Sequence, residues 1–191
     1  MKIVLASSNA GKLREFQAAL SMFHSELLPQ SQFNFSEAEE NALTFIENAL
    51  LKARHAALHT GLSALADDSG LVVEALNGKP GIHSARYAGS PSNAKANINK
   101  LLEVLQFETN RRAHFHCSIV FLHHAEDPDP VICQGIWQGE IVKEPRGTHG
   151  FGYDPIFYIP SEKKTAAELT LERKNQISHR GLAIKSLIQK M

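Results

Sequence analysis

Short apolar segments alternate with amphipathic helical patterns along this chain, and that alternation restricts the fold to the α/β class. Ile3–Ala6 is an uninterrupted apolar run of strand length, and the polar segment Ser7–Gly11 follows it. Apolar residues then recur three or four positions apart, the spacing of one helix face, at Leu13, Phe16, Leu20 and Phe23. The N-terminal segment therefore predicts a strand, a small polar loop and a helix.

Further strand patterns are spread over the rest of the chain. Two short strands, Ser63–Ala66 and Leu71–Val73, are expected around a turn at Asp67–Gly70, whose residue types favour turns. Val131–Val142 predicts one or two strands, and Ile156–Ile159 predicts another. One face of a buried strand is indicated by the alternating residues Phe115, Cys117, Ile119 and Phe121.

Capping signals mark two helices between these strands. Thr44 followed by Glu47 is a capping box that predicts a helix beginning at Phe45, and Thr165 with Glu168 repeats the spacing. Two more apolar-striped helices are expected, one with Ala94, Ile98, Leu101, Leu102 and Leu105, and one over Leu182–Ile188. Because some neighbouring strands have hairpin-length connections, we predict a mixed β-sheet flanked by helices, as one domain over residues 1–191 with two lobes possible.

The composition excludes several classes of function. Twenty basic and twenty acidic residues cancel, so no global field draws the chain to nucleic acid or to a membrane, and a polyanion needs a local pocket. Cys117 and Cys133 are the only cysteines, too few for the disulfide framework of a secreted domain. The first apolar run is too short for a signal peptide, and no later stretch approaches transmembrane length. We therefore expect a cytoplasmic protein.

The junction Ser7–Lys12 is a candidate anion site. A strand-to-helix junction directs backbone N–H groups and the positive end of the helix dipole at one point, and Lys12 adds a mobile charge. The residues do not match a Walker A loop. The alternative is an ordinary helix start, capped by Ser8 or Asn9, with Lys12 in solvent.

Two pairs of adjacent acids are candidate Mg²⁺ ligands. Glu39 and Glu40 precede a helix, and Asp67 and Asp68 lie in the expected turn. Mg²⁺ in phosphoryl-transfer enzymes is commonly held by one or two carboxylates together with phosphate oxygens of the substrate. Adjacent residues of an extended segment point to opposite sides, so at most one of each pair is expected to face a shared site. The alternatives are a solvated acidic pair and a simple β-turn.

Three further groups could bind a ligand. Lys52 lies one helical turn from Asn48 on a face that also carries Phe45 and Ala49, which favours a partly buried lysine in need of an anionic partner. The glycine-rich segment 150–154 could lay an aromatic ring against a purine, with a carboxylate accepting from a ring N–H. Donors follow in the polar stretch 174–180, whose alternative is an exposed helix start. Histidines near the cysteines lack zinc-site spacing and receive no role.

Six segments of this chain, in order from end to end, resemble the inosine/xanthosine triphosphate pyrophosphatase family, the nucleotide "house-cleaning" enzymes. The matching segments are Ala6–Lys12, Thr44–Ala49 with Lys52 and Ala53, Ala66–Leu71, Pro80–Tyr87, Phe151–Pro155 and Ser178–Gly181. The resemblance implies an elongated mixed sheet with two lobes, a nucleotide cleft between them, and a homodimer. It also implies Mg²⁺-dependent hydrolysis of ITP, dITP or XTP to the monophosphate and pyrophosphate.

The resemblance implies a role for each residue of the candidate site. The triphosphate would be held by Ser7, Ser8, Asn9, Ala10, Gly11, Lys12 and Lys52. Glu39 and Asp68 would bind Mg²⁺, and Asp68 would also accept the proton of the attacking water, with Ser69 touching the substrate. The base would be held by Phe151, Gly152, Tyr153, Asp154, Lys174, His179 and Arg180. Alternatives are a pyrophosphatase for modified pyrimidine or methylated nucleotides, and a non-catalytic nucleotide-binding or metal-sensing module.

Overall fold

The computed structural model describes residues 1–7, 9–20 and 26–191. The strands are β1 (Lys2–Leu5), β2 (Glu26–Pro29), β3 (Ser63–Val73), β4 (Arg112–Leu122), β5 (Val131–Ile141), β6 (Phe157–Ile159) and β7 (Lys164–Thr165). The helices are α1 (Ala10–Leu20), α2 (Phe45–Thr60), α3 (Ala94–Val104), α4 (Leu171–Ile177) and α5 (His179–Lys190). Within these residues, no helix is long and apolar enough to cross a membrane.

The seven strands form one mixed sheet in the order β2-β1-β3-β4-β5-β6-β7. β1 pairs in parallel with β2 and with β3, where Leu5 lies opposite Leu65 in the last pair. β6 pairs antiparallel with β5 and with β7. The predicted mixed α/β fold is therefore confirmed. The chain divides into two units, residues 1–68, 117–134 and 182–191 in the first, and residues 69–116 and 135–181 in the second.

The first unit packs helices on both faces of its strands. Alternate residues Ile3, Leu5 and Leu65 share a buried cluster with Phe16 of α1 and Leu187 of α5. The intervening positions form a second cluster with α2, composed mainly of small side chains: Val4, Ala6, Ala49, Ala53, Ala56, Ala57, Ala64 and Ala66. Each large side chain buried here contributes about 1.5–3 kcal/mol to stability. The period of two in the strands thus decides which helix each strand residue contacts.

The second unit has a more aromatic core. Phe115, Trp137 and Phe157 cluster with Leu71 and Val73, and a buried stripe is added by Ile98 and Leu101 of α3 and by Leu105, which follows it. The expected helical periodicity of α3 and the alternation of β4 are confirmed. The region 131–142, expected as one or two strands, is the single strand β5.

The predicted helix start at Thr44 is confirmed. Thr44 accepts a hydrogen bond from the Glu47 N–H at 3.2 Å, and α2 begins at Phe45. The second capping box, at Thr165 and Glu168, is present and begins a short 3₁₀ turn at Ala166. Phe23, predicted as part of the first helix stripe, lies outside the described residues.

One expectation and one alternative are wrong. Asp67–Gly70 is not a turn, because β3 runs without interruption from Ser63 to Val73. Aspartate favours turns when its carboxylate bonds to nearby backbone, whereas these carboxylates bind lysines from other elements. The alternative for the polar stretch 174–180, an exposed helix start, is also wrong, because α5 begins at His179 but this helix start is buried. The buried members of the stretch are Lys174, Ser178, His179 and Arg180.

Candidate active site

A cluster of lysines and carboxylates lies in the first unit, past the carboxyl end of β1. β1 ends at Leu5, whereas β3 continues and carries Asp67 and Asp68 beyond it. Lys12 Nζ lies 3.0 Å from Asp67 Oδ2, and Lys52 Nζ lies 3.4 Å from Asp68 Oδ1. The two aspartate side chains lie on opposite faces of the strand: Asp67 contacts Lys12 of α1, and Asp68 contacts Lys52 of α2. The alternative in which Lys12 lies in solvent is therefore wrong, and the partial burial expected for Lys52 is confirmed.

Asp68 has the chemistry of a proton acceptor. Asn48 Nδ2 donates to its Oδ2 at 3.3 Å, on the same face of α2 as Lys52. Desolvation raises the pKa of Asp68, the positive charges of Lys52 and Lys12 oppose that rise, and nearby Glu40 and Asp67 add to it. The net effect is a raised pKa, so the carboxylate holds a proton more readily than an exposed aspartate.

Both aspartates therefore belong to one electrostatic cluster. Lys12 and Asp67 both shift the pKa of Asp68, although Asp67 pairs with Lys12 and Asp68 pairs with Lys52. That at most one acid of this pair faces a shared site stays a prediction. Because β1 has ended at this point of the sheet, no β1 residue lies opposite them. Burial favours loss of the Lys52 charge, but Asp68, Asp67 and Glu40 outweigh it and raise the pKa of that ammonium group.

Glu40, and not Glu39, joins this cluster. Its Oε1 lies 3.3 Å from Lys52 Nζ, so one ammonium group bridges the carboxylates of Glu40 and Asp68. Glu39 is exposed and makes no ion pair within the described residues. The rule that adjacent residues of an extended segment point apart was the available signal that only one of them belongs here.

The first turn of α1 is capped by its own side chain. Asn9 Oδ1 accepts from the N–H groups of Gly11 at 2.9 Å and Lys12 at 3.2 Å, while the N–H of Asn9 donates to Ser7 Oγ at 3.2 Å. The expectation of free N–H groups is therefore not met at Gly11 and Lys12, and Asn9 is the helix cap. Ala10 begins α1. Ser8 lies outside the described residues.

The second unit contains a separate group built on a buried ion pair. Lys174 Nζ lies 2.5 Å from Asp154 Oδ2, which also accepts the Phe151 N–H at 2.8 Å. Lys174 Nζ lies 4.7 Å from the centre of the Phe151 ring, and Phe151 as a residue is 42% exposed. Gly150 has φ +79°, and a Cβ there would meet Asp154 Oδ2 at 2.0 Å, so only glycine allows the loop to wrap this closely.

Three more residues that were expected to bind the nucleotide base, Gly152, Tyr153 and His179, lie in the same unit. Tyr153 is buried and donates its hydroxyl hydrogen to the Ser84 carbonyl at 2.9 Å, and Gly152, with φ +60°, precedes it. Burial raises the pKa of Tyr153 above its usual value. The buried His179 ring stacks 4.7 Å from that of Phe115.

Arg180 is a buried guanidinium in the same group. Its Nη2 donates to Ser69 Oγ at 3.3 Å, and its Cζ lies 5.9 Å from the centre of the Phe151 ring. A Cβ at Gly181 would lie 1.8 Å from the Asn175 carbonyl oxygen, so glycine lets the start of α5 close onto α4. The structure thus brings all seven residues predicted for the base into the second unit, together with Ser69.

The metal chemistry follows from the donor atoms. Within the described part of the chain, no group of three or more histidine, cysteine, aspartate or glutamate residues is arranged to hold a metal ion. Glu40 and Asp68 instead supply oxygen atoms around one ammonium group, which marks a place where two negative charges require a cation. Two carboxylates completed by substrate oxygens and water suit Mg²⁺, so these residues fit that ion.

An acid–lysine cluster outside the carboxyl end of parallel strands is the ligand-binding position of α/β enzymes. A model of the Ham1 family matches residues 3–190. The chain belongs to the Ham1 family. This result confirms the predicted family relationship.

Curated relatives and solved structures agree with this assignment. The chain is 58% identical to the dITP/XTP pyrophosphatase of Shigella flexneri over 189 residues, 98% of this chain and 96% of that protein. It is 55% identical to the dITP/XTP pyrophosphatase of Nitrosomonas europaea, over 98% and 93% of the two chains. A HAM1 protein from Coxiella burnetii superimposes with a TM-score of 0.95 at 51% identity, covering 100% and 98% of the chains.

Proposed function

We propose that this chain hydrolyses non-canonical purine nucleoside triphosphates, ITP, dITP and XTP, to the nucleoside monophosphate and pyrophosphate. The observation that carries this function is the buried Asp68, held by Lys52 and Asn48, in a chain that resembles dITP/XTP pyrophosphatases over nearly its whole length. The reaction removes these nucleotides from the pool before incorporation into DNA or RNA.

Lys12 and Lys52 supply the positive charges that bind the triphosphate. Each is held against a carboxylate, so each ammonium group is oriented before the substrate arrives. The loop Ser7–Gly11, including Ser8 and Ala10, surrounds the phosphates at the positive end of α1, and the Asn9 cap keeps that helix end in place.

Glu40 and Asp68 are the proposed ligands of Mg²⁺. Glu40 takes the role first expected of Glu39, because it shares Lys52 with Asp68. Bound there, Mg²⁺ would supply positive charge to the phosphate oxygens and the leaving pyrophosphate. Asp68 accepts the proton of the attacking water. Its raised pKa lies closer to neutral pH than that of an exposed aspartate, which suits a general base. Ser69 touches the substrate beside it.

The second unit selects the base. The exposed ring of Phe151 offers a stacking surface, with Gly152 and Tyr153 shaping the loop. Lys174, His179 and Arg180 are donors that complement a keto oxygen at position six of the purine and oppose the amino group of adenine. Asp154 differs from expectation, because its Oδ2 already binds Lys174 and the Phe151 N–H. Its proposed role is to hold the lysine that reads the keto oxygen.

We further propose that residues 1–191 form a single catalytic domain, which acts as a homodimer in the cytoplasm without nucleic acid. Light scattering of the purified protein tests the dimer. A monomer at assay concentration would contradict it.

Pyrophosphate release from a panel of triphosphates tests the proposed activity. ITP, dITP and XTP should be cleaved with Mg²⁺ and not with EDTA, and ATP should be cleaved far more slowly. Faster cleavage of a modified pyrimidine triphosphate would contradict the assignment. Nucleotide binding without pyrophosphate release would indicate a binding module instead.

Asp68→Asn tests the proton acceptor. Turnover should fall by about 100-fold or more, since general base catalysis typically contributes 10²–10⁴. ITP binding, measured by calorimetry, should largely remain. Asp129→Asn, at an exposed aspartate of the same unit, is the matched control and should stay active. An active Asp68→Asn enzyme would refute the proposed role.

A further inference from the structure

Three polar side chains of α2 line one face of the helix and meet an extended segment that precedes it. Asn48, Lys52 and His55 are spaced by four and three positions, so they form one row along the helix. The segment 34–41 has no regular secondary structure. Lys52 and Asn48 both contact Asp68, so His55 is the member of this row whose role the charges of the site do not explain.

The row contacts the segment in an antiparallel order. His55 Nε2 lies 2.7 Å from the Ser36 carbonyl oxygen, and because a carbonyl only accepts, His55 donates this hydrogen bond. Lys52 contacts Glu40 next, one turn earlier in the helix. Asn48 then follows, and its Oδ1 accepts the backbone N–H of Ala42 at 3.0 Å. The helix therefore holds the segment on both sides of Glu40.

Aromatic contacts strengthen the hold at the His55 end. The Phe35 ring stacks on the His59 ring with centroids 5.0 Å apart and 16° between planes, and it lies 5.5 Å from the His55 ring. His59 is fixed in turn, because its Nδ1 donates to the His55 carbonyl oxygen at 2.8 Å. Phe35 thus packs against two rings of one helix.

The contacts of α2 with the segment 34–41 matter because ordering an irregular segment costs free energy. Fixing the backbone of one residue costs about 1–2 kcal/mol, and no sheet partner of the segment offsets that cost. Glu40 lies between the two anchors, at Ser36 and at Ala42. Its carboxylate therefore meets Lys52 between two anchored points of the backbone.

We propose that His55 is a positioning residue that holds Glu40 in place to bind the divalent cation. It acts through the Ser36 backbone and touches neither cation nor substrate. This inference rests on the proposed function, because it assigns His55 to the metal-binding half of that site.

The experiment compares wild type, His55→Ala, His55→Gln and Leu58→Ala. The side-chain amide of glutamine lies about as far from the backbone as histidine Nε2 and retains an N–H donor. Leu58 is an exposed residue of the same helix, 71% accessible, and is the matched control. The first readout is the Mg²⁺ concentration that gives half-maximal ITP hydrolysis. The second is hydrogen–deuterium exchange of the segment 33–44, without nucleotide or metal.

His55→Ala should raise the half-saturating Mg²⁺ concentration about three- to tenfold, the effect of losing one hydrogen bond. Its kcat at saturating Mg²⁺ and its KM for ITP should change less than twofold. Exchange should quicken in 33–44 and stay unchanged in β3. His55→Gln should restore most of both values, and Leu58→Ala should match wild type.

An unchanged Mg²⁺ requirement or unchanged exchange in His55→Ala would overturn the positioning role. An equal effect in Leu58→Ala would also overturn it, since any change to α2 would then suffice. If His55→Ala does not fold, Phe35→Ala provides the same comparison from the segment side. Inactive wild type would reject the proposed function, whereas the exchange data would still test the hold on the segment.

Discussion

Asp154→Asn tests how much burial strengthens the ion pair between Asp154 and Lys174, which lies against the Phe151 ring. The Asp154 and Lys174 side chains are only 4% and 6% exposed, and their charged atoms lie 2.5 Å apart. Asparagine keeps the shape of the side chain but leaves the buried ammonium group without its anionic partner. Breaking a buried pair in this way typically costs about 3–5 kcal/mol.

The Phe151 ring reduces that cost. Lys174 Nζ lies 4.7 Å from its centre, and a cation–π contact contributes about 0.5–2 kcal/mol. We therefore expect the lower end of the range, about 3 kcal/mol. For a chain of this size, that loss lowers the melting temperature by about 6–12 °C. Thermal and urea unfolding without nucleotide provide the measurement.

Glu162→Gln is the control. Its partner Arg173 lies at a similar distance, 2.7 Å, but the side chains are 20% and 46% exposed. Solvent screening should leave the melting temperature of this variant close to wild type. If Asp154→Asn melts no lower than Glu162→Gln, burial does not strengthen the pair and the reasoning is refuted.

Three further predictions concern the charged groups and the base site. Lys12→Ala should raise KM for ITP and lower stability, because it removes a phosphate-binding cation and leaves buried Asp67 without Lys12; an unchanged KM in steady-state kinetics would contradict the proposed phosphate contact. Phe151→Ala should weaken ITP binding in calorimetry while leaving the affinity for inorganic tripolyphosphate unchanged, and equal losses for both ligands would exclude a stacking role. Burial lowers the pKa of His116. Below about pH 6.5 the unfolded chain therefore binds a proton more readily than the folded chain, so the free energy of unfolding should decrease as the pH is lowered. The melting temperature should fall less in His116→Gln between pH 7 and pH 5, and an identical fall in both proteins would contradict this reading.

Local signals in the sequence predicted the elements that depend on local geometry. The capping box at Thr44 predicted the first residue of α2, and the alternation from Phe115 predicted a buried face of β4. Periodicity and capping report the shape of one element, which its own residues largely determine. The order of the motifs identified the family and the residue types of the site.

The tertiary structure decided which of those residues meet. Asp67 and Asp68 favour a turn by residue type, yet they lie in β3 because Lys12 and Lys52 bind their carboxylates there. Glu40, and not Glu39, contacts Lys52, where the preceding segment is held against α2 through Ser36 and Ala42. Contacts between residues far apart in sequence depend on how elements pack, and local periodicity carries no information about that packing.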